Sequence, residues 1–293
     1  MFQVLVNGII VGGIYALITI GFNLIYSAVR FYHLAYGAVG ILGAYLTYQI
    51  QKFIFETQGG GLITGFLLGL LISSIVTGML GILIWKFLYR PLRKNGASNV
   101  SMIVASFGLL IILQNLIGLI FGQSAKTIRL SEVTTQGYEF LSASITKNQI
   151  LILIVTLVSV FVFELFLHRT KIGTAIRAVG QNSQLAAVVG VKTEKVIYIT
   201  FFIASFLSVL ASSLIALEIS LKPTYGLMLI LKVIVASIIG GIGSMRGALV
   251  GGLMLGVAEN FGAYYFGSQW QDTVAFGLLV IFLLVRPQGL FKK

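Results

Sequence analysis

Nine long apolar runs follow one another along this chain of 293 residues, and few folds can accept them. They lie near 4–29, 31–50, 62–88, 100–122, 149–167, 196–217, 226–242, 248–266 and 270–285. About 20 apolar residues wound as a helix match the hydrocarbon thickness of a bilayer. No water reaches that layer, so a crossing segment must satisfy its own backbone polar groups, and a helix does so. The pattern therefore predicts an all-α fold: a polytopic α-helical membrane protein with about eight to ten transmembrane segments. Only 10% of the residues are charged and 58% are hydrophobic, whereas a soluble domain carries about a quarter charged residues. The runs at 226–242 and 270–285 are shorter than a straight span and are candidates for broken or re-entrant helices. The first run is too long for a signal peptide and reads as a retained span. The whole of 1–293 reads as a single membrane domain.

The net charge of +12 does not imply nucleic acid in such a chain. Lys and Arg gather on the cytoplasmic side of membrane proteins. Placing the segment 167–195 in the cytoplasm puts fourteen of the twenty Lys and Arg residues on that side, Lys292 and Lys293 among them. Five fall on the other: Lys52, Lys126, Arg129, Lys147 and Lys222. Lys232 lies within a run. This asymmetry predicts an N-terminus outside and a C-terminus inside. The absence of cysteine removes disulfides and thiolate metal sites.

The connection at about 168–195 is long, basic and rich in Ala and Gly, in a class of proteins that keeps loops short. It contains Lys171-Ile-Gly173-Thr-Ala-Ile-Arg177-Ala-Val-Gly180 and, further on, Gly190. Ile172, Ile176 and Val179 recur at helical spacing and would form one apolar face. Gly173 and Gly180 would allow a close approach, and Arg177 would reach an acidic rim. Such a segment is either a docking helix for a cytoplasmic partner or an interfacial amphipathic helix.

Polar side chains inside the runs mark either a translocation path or interhelical glue. Candidates for the path are Asn23, His33, Tyr36, Gln114, Asn115, Lys232 and Glu259. Hydrogen bonds that fix packing explain the Asn and Gln residues best, and packing is the default for His33. Charge facing lipid is costly, so Lys232 and Glu259 should face a cavity, a neighbouring helix or each other. Gly8-xxx-Gly12, Gly65-xxx-Gly69, Gly118-xxx-Gly122 and Gly252-xxx-Gly256 have the spacing of close helix crossings. The stretch Gly240-Gly-Ile-Gly243-Ser-Met-Arg-Gly247 lacks the context of a nucleotide loop and reads as a flexible link. No catalytic constellation, metal-ligand cluster or phosphate-binding loop is present, so no catalytic residue, cofactor or metal is expected, and any ATP hydrolysis must come from elsewhere.

Several segments resemble the permeases of branched-chain amino acid ATP-binding-cassette importers. These are Gly13-Ile-Tyr-Ala-Leu17 with Gly21, Tyr89-Arg-Pro-Leu-Arg93, the block 173–190, the stretch from Gly240 to Glu259, and Asp272-Thr-Val-Ala-Phe-Gly-Leu-Leu with Arg286-Pro-Gln-Gly289. They occur in order over nearly the whole chain, and the chain is similar to the first of the two paired permeases. The resemblance implies a multi-pass protein of the bacterial inner membrane working with two cytoplasmic ATP-binding subunits, a second permease and a periplasmic solute-binding protein. It also implies that 168–195 is a coupling loop. Where the family usually has Asn-Phe-Ala-His-Gly-Glu, this chain has His33-Leu-Ala-Tyr36-Gly37-Ala38. The resemblance implies branched-chain or other amino acids as the solute; if that stretch lines the path, the departure leaves room for a solute other than leucine, isoleucine or valine, with urea and short amides as alternatives. An ion-coupled carrier is the rival class, with Glu259 as its candidate carboxylate.

Overall fold

A computed structural model of the chain describes residues 1–58, 61–130, 137–140 and 143–291. Lys292 and Lys293, placed above on the cytoplasmic side, lie outside the described residues. The fold is all-α and polytopic. Its elements are α1 (Phe2–Val29), α2 (Tyr36–Gln58), α3 (Leu62–Ile84), a π-helical turn (Trp85–Tyr89) and α4 (Arg90–Lys94). Then come α5 (Asn99–Phe121), a hairpin of β1 (Gly137–Phe140) and β2 (Ala143–Thr146), and α6 (Lys147–Arg169). After these follow α7 (Lys171–Gln181), α8 (Ser183–Val188), α9 (Thr193–Glu218), α10 (Tyr225–Gly240), α11 (Met245–Phe266) and α12 (Gln271–Val285).

Each expected apolar run is carried by its own helix, but fewer helices than runs are long and apolar enough to count as single spans. Among the described residues six helices are long and apolar enough to cross a membrane, or seven if the bent pair α10 and α11 forms one span. Two causes separate this from the expected eight to ten. α10 has 16 residues and meets α11 at a bend of 117°. The second run also shifts, from the expected 31–50 to Tyr36–Gln58. Arg30 ends α1 in the left-handed conformation at φ 62°, and the chain folds back before α2 begins beside Ala204, halfway along α9. The helix then continues past the apolar residues through Gln51, Lys52 and Glu56, which lowers its apolarity.

α1, α2, α9 and α10 form the interior, while α5, α6 and α12 turn large apolar faces outward. The tightest crossing joins two of the small-residue motifs. Gly8 and Gly12 of α1 run against Gly252 and Gly256 of α11, and a Cβ on Gly12 would stand 2.8 Å from the Cα of Leu253. That is closer than atoms tolerate, so the helices meet backbone to backbone. Gly69 serves the same purpose between α3 and α2. Gly118 and Gly122 belong to no such crossing: Gly118 faces Gln123, and Gly122 ends α5 at φ 84°. Hydroxyls finish the interior. The Thr47 Oγ lies 2.6 Å from that of Ser73 and 3.0 Å from that of Ser213, joining α2, α3 and α9.

The glycine-rich link is a tight corner. Gly241 and Gly243 have φ of 104° and 78°, values that a side chain disfavours. Ser244 then caps α11 by accepting the Gly247 N–H. The C-terminal segment locks the corner, with the Leu290 and Phe291 N–H groups donating to the carbonyls of Ile239 and Gly240.

Candidate functional site

The long connection at 168–195 folds as two short helices. Thr170 caps α7 by accepting the Gly173 N–H at 2.9 Å, and Asn182 caps α8 by accepting those of Gln184 and Leu185 at 3.0 Å. Gly190 closes α8 at φ 87°, with its N–H donating to the Ala187 carbonyl.

The expected apolar face is divided. Ile176 and Val179 are buried inside this chain, and Ile172 is exposed. Gly173 abuts the Leu167 backbone and has no room for a side chain, while a Cβ on Gly180 would crowd the Ser27 side chain of α1. The expectation that Ile172, Ile176 and Val179 form one outward surface is thus corrected: two of the three fasten α7 to the membrane domain. Arg30 adds to this by donating to the carbonyls of Gly180 at 2.6 Å and Gln181 at 3.3 Å. Arg177 is exposed.

Sequence reasoning missed the apolar surface that does face outward. Leu185, Val188 and Val189 are 64%, 84% and 78% exposed. They lie on α8 and its C-terminal turn, outside the membrane-spanning helices, where an exposed apolar patch suits a partner. The signal in the sequence was the Leu-Ala-Ala-Val-Val run itself.

The intramembrane polar residues separate into several sites. Lys232 of α10 and Glu259 of α11 face each other, with the Lys232 Nζ 3.1 Å and 3.2 Å from the two carboxylate oxygens. Asp272, at the start of α12, stands 2.9 Å from the same Nζ. The Tyr15 hydroxyl of α1 donates to Glu259 at 2.9 Å. Glu259 is buried and Asp272 is half-exposed. One cation thus ties four helices, and neither Tyr15 nor Asp272 was singled out for this role. The acid in the first turn of α12 is suited to the positive end of the helix.

His33 and Tyr36 are packing residues. The His33 Nδ1 lies 2.8 Å from the Tyr89 hydroxyl and 3.2 Å from that of Ser106. Tyr36 donates to the carbonyls of Ile18 and Ala204, each at 3.1 Å. Asn23 donates to the Ser244 carbonyl at 2.9 Å and accepts from Ser237 at 2.5 Å, fastening α1 to the glycine corner. Asn115 is exposed on α5 and bonds its own helix at Ile111, and Gln114 beside it is partly buried. The seven residues do not line a common cavity among the described residues. Lys232 and Glu259 come together, His33 and Tyr36 pack as neighbours, and the others stand apart.

The arrangement is that of a helical membrane body with an arm of two short helices. Residues 4–283 match the family described as branched-chain amino acid transport system / permease component. The chain belongs to that family. It is 35% identical to the high-affinity branched-chain amino acid transport system permease protein BraD of Pseudomonas aeruginosa, covering 99% of this chain and 95% of the relative. It is 32% identical to the corresponding protein LivH of Escherichia coli, over the same shares. Among solved structures, PsaBC from Streptococcus pneumoniae in complex with Fab has the same fold at a TM-score of 0.51 and 14% identity, covering 98% of this chain and 92% of that one. As a member of the permease family, the chain has its role in transport.

Proposed function

We propose that the chain is the first of two paired permeases in an ATP-binding-cassette importer for branched-chain amino acids of the bacterial inner membrane. The reading is supported by full-length similarity to relatives named for that transport, BraD and LivH. A second permease completes the pathway, a periplasmic binding protein delivers the solute, and two cytoplasmic ATP-binding subunits supply the energy. The N-terminus is periplasmic and the C-terminus cytoplasmic, in keeping with the distribution of Lys and Arg.

The departure at His33–Ala38 does not redirect the solute. His33 and Tyr36 spend their polar atoms on Ser106, Tyr89 and backbone carbonyls, so the change alters packing rather than a path wall. In this reading α8 is the handle. The ATP-binding subunits grip Leu185, Val188 and Val189, with Arg177 against an acidic rim. Their closure moves α7 and α8 as a rigid arm, because the Gly180 and Arg30 contacts hold α7 to α1 and the buried Ile176 and Val179 pack it into the chain's own helices. Packed helices transmit such motion as bodies.

The test is Val188→Asp. The side chain is exposed, so the permease should insert and fold as wild type. An unpaired charge placed in a buried contact costs several kcal/mol, roughly the loss of docking. Co-purification of the ATP-binding subunits and ATP-driven uptake in vesicles should both fail. Normal co-purification with normal uptake would remove α8 from the interface.

A further inference from the structure

Six residues of α5 fall on one stripe of its surface: Ser101, Val104, Gly108, Ile111, Asn115 and Leu119. At about 100° per residue they span about 80° of the helix. The stripe lies opposite Met102, Ser106, Leu110, Leu113 and Ile117, which α5 buries against the rest of the fold, so it looks straight outward. Ser101, Val104, Ile111, Asn115 and Leu119 are exposed. Gly108 is open, and a Cβ there would meet nothing within 4 Å.

Asn115 decides what can cover this stripe. α5 has 23 residues, about 34 Å of helix, close to the roughly 30 Å of hydrocarbon in a bilayer. Asn115 stands six residues before the C-terminal end at Phe121, about 9 Å along the axis and inside that layer. Its side chain is too short to reach the headgroups. It donates to the Ile111 carbonyl of its own helix at 2.8 Å, which uses one N–H. Its carbonyl oxygen and second N–H make no hydrogen bond among the described residues. An acyl chain offers neither donor nor acceptor, and an unanswered amide in hydrocarbon is costly. A polar side chain on a second helix answers both groups. The notch at Gly108, two turns away on the same stripe, lets the backbone of that helix come close. Gly277 of α12 is equally open, but no amide stands on its side of α12, so an open glycine alone does not select a face.

We propose that this stripe of α5 is the surface on which the second permease packs, with a polar side chain of one of its membrane helices hydrogen-bonded to Asn115. The inference rests on the reading of the chain as one of two paired permeases. Of the partners in that reading, only the second permease has helices at the depth of Asn115; the ATP-binding subunits and the binding protein lie outside the bilayer. The stripe is also separate from α8, the surface given to the ATP-binding subunits.

The experiment measures pairing of the full-length chain with the second permease in liposomes, by energy transfer between fluorophores on the two proteins. Asn115→Leu should weaken pairing about tenfold, the worth of one interhelical hydrogen bond. Gly108→Val, which fills the notch, should weaken it at least as much. Gly277→Val, the matched change on α12, should leave it at the wild-type value. All three side chains point away from the fold, so each variant alone should elute as wild type. The inference is overturned if neither α5 variant weakens pairing more than Gly277→Val does; wild-type pairing would then still uphold the paired-permease reading. Energy transfer between two copies of this chain that Asn115→Leu removes would give the stripe to a second copy and overturn it as well. A wild-type chain that shows no transfer with the second permease overturns the inference and the paired-permease reading together.

Discussion

Replacing Lys232 with Met should be among the most damaging conservative changes in the membrane interior. The two side chains have similar length, so little packing is lost. What changes is charge. Lys232 is the counter-ion of the buried Glu259 and the nearer partner of Asp272. Without it, Glu259 keeps only the Tyr15 hydroxyl at 2.9 Å. Stranding one member of a buried pair costs about 3–5 kcal/mol. At about 2 °C per kcal/mol for a chain of this size, the melting temperature in detergent should fall by about 6–10 °C. Asp272 is half-exposed and water can replace its partner, so Asp272→Asn should cost no more than about 1 kcal/mol. Replacing a buried pair by apolar residues of similar volume is often neutral. Lys232→Met combined with Glu259→Met should therefore recover most of the loss. Thermal unfolding followed by size-exclusion fluorescence reads these three variants and the single Glu259→Met that completes the cycle. A double variant that melts at the sum of two large single losses would refute the coupling, as would an Asp272→Asn loss equal to that of Lys232→Met.

Three further outcomes are expected. Gly12→Val should abolish the folded monomer peak, because its side chain meets the α11 backbone, whereas Gly108→Val, with nothing within 4 Å of its Cβ, should express and elute as wild type. Tyr36→Phe should lower stability by about 1 kcal/mol through its lost hydrogen bonds, leaving solute preference in vesicle uptake unchanged; a switched preference would return Tyr36 to the path. Glu259→Gln should reduce transport without moving its pH optimum, since the carboxylate is held by Lys232 and Tyr15; a displaced optimum would indicate a proton relay.

The sequence alone determined the class of fold and the family. Apolar runs about one bilayer long can be satisfied only as helices, and nearly every helix lies where its run lies. It also marked the arm at 168–195, because amphipathic spacing and length survive without tertiary context. It could not say which way the arm faces. Ile176 and Val179 have the spacing of an apolar face, but spacing names a face and not its partner, and here α7 packs against the chain's own α1, α6 and α9. The outward patch on α8 follows only once that side is taken. The Lys232–Glu259 pair is similar. Cost predicts that two such residues seek partners, yet they lie 27 positions apart, and Tyr15 and Asp272 join them from two other helices. Their meeting depends on how α1, α10, α11 and α12 cross. The crossing of α1 and α11 is set by backbone approach at Gly8, Gly12, Gly252 and Gly256, where the absence of side chains admits contact and only the three-dimensional packing selects which glycines meet.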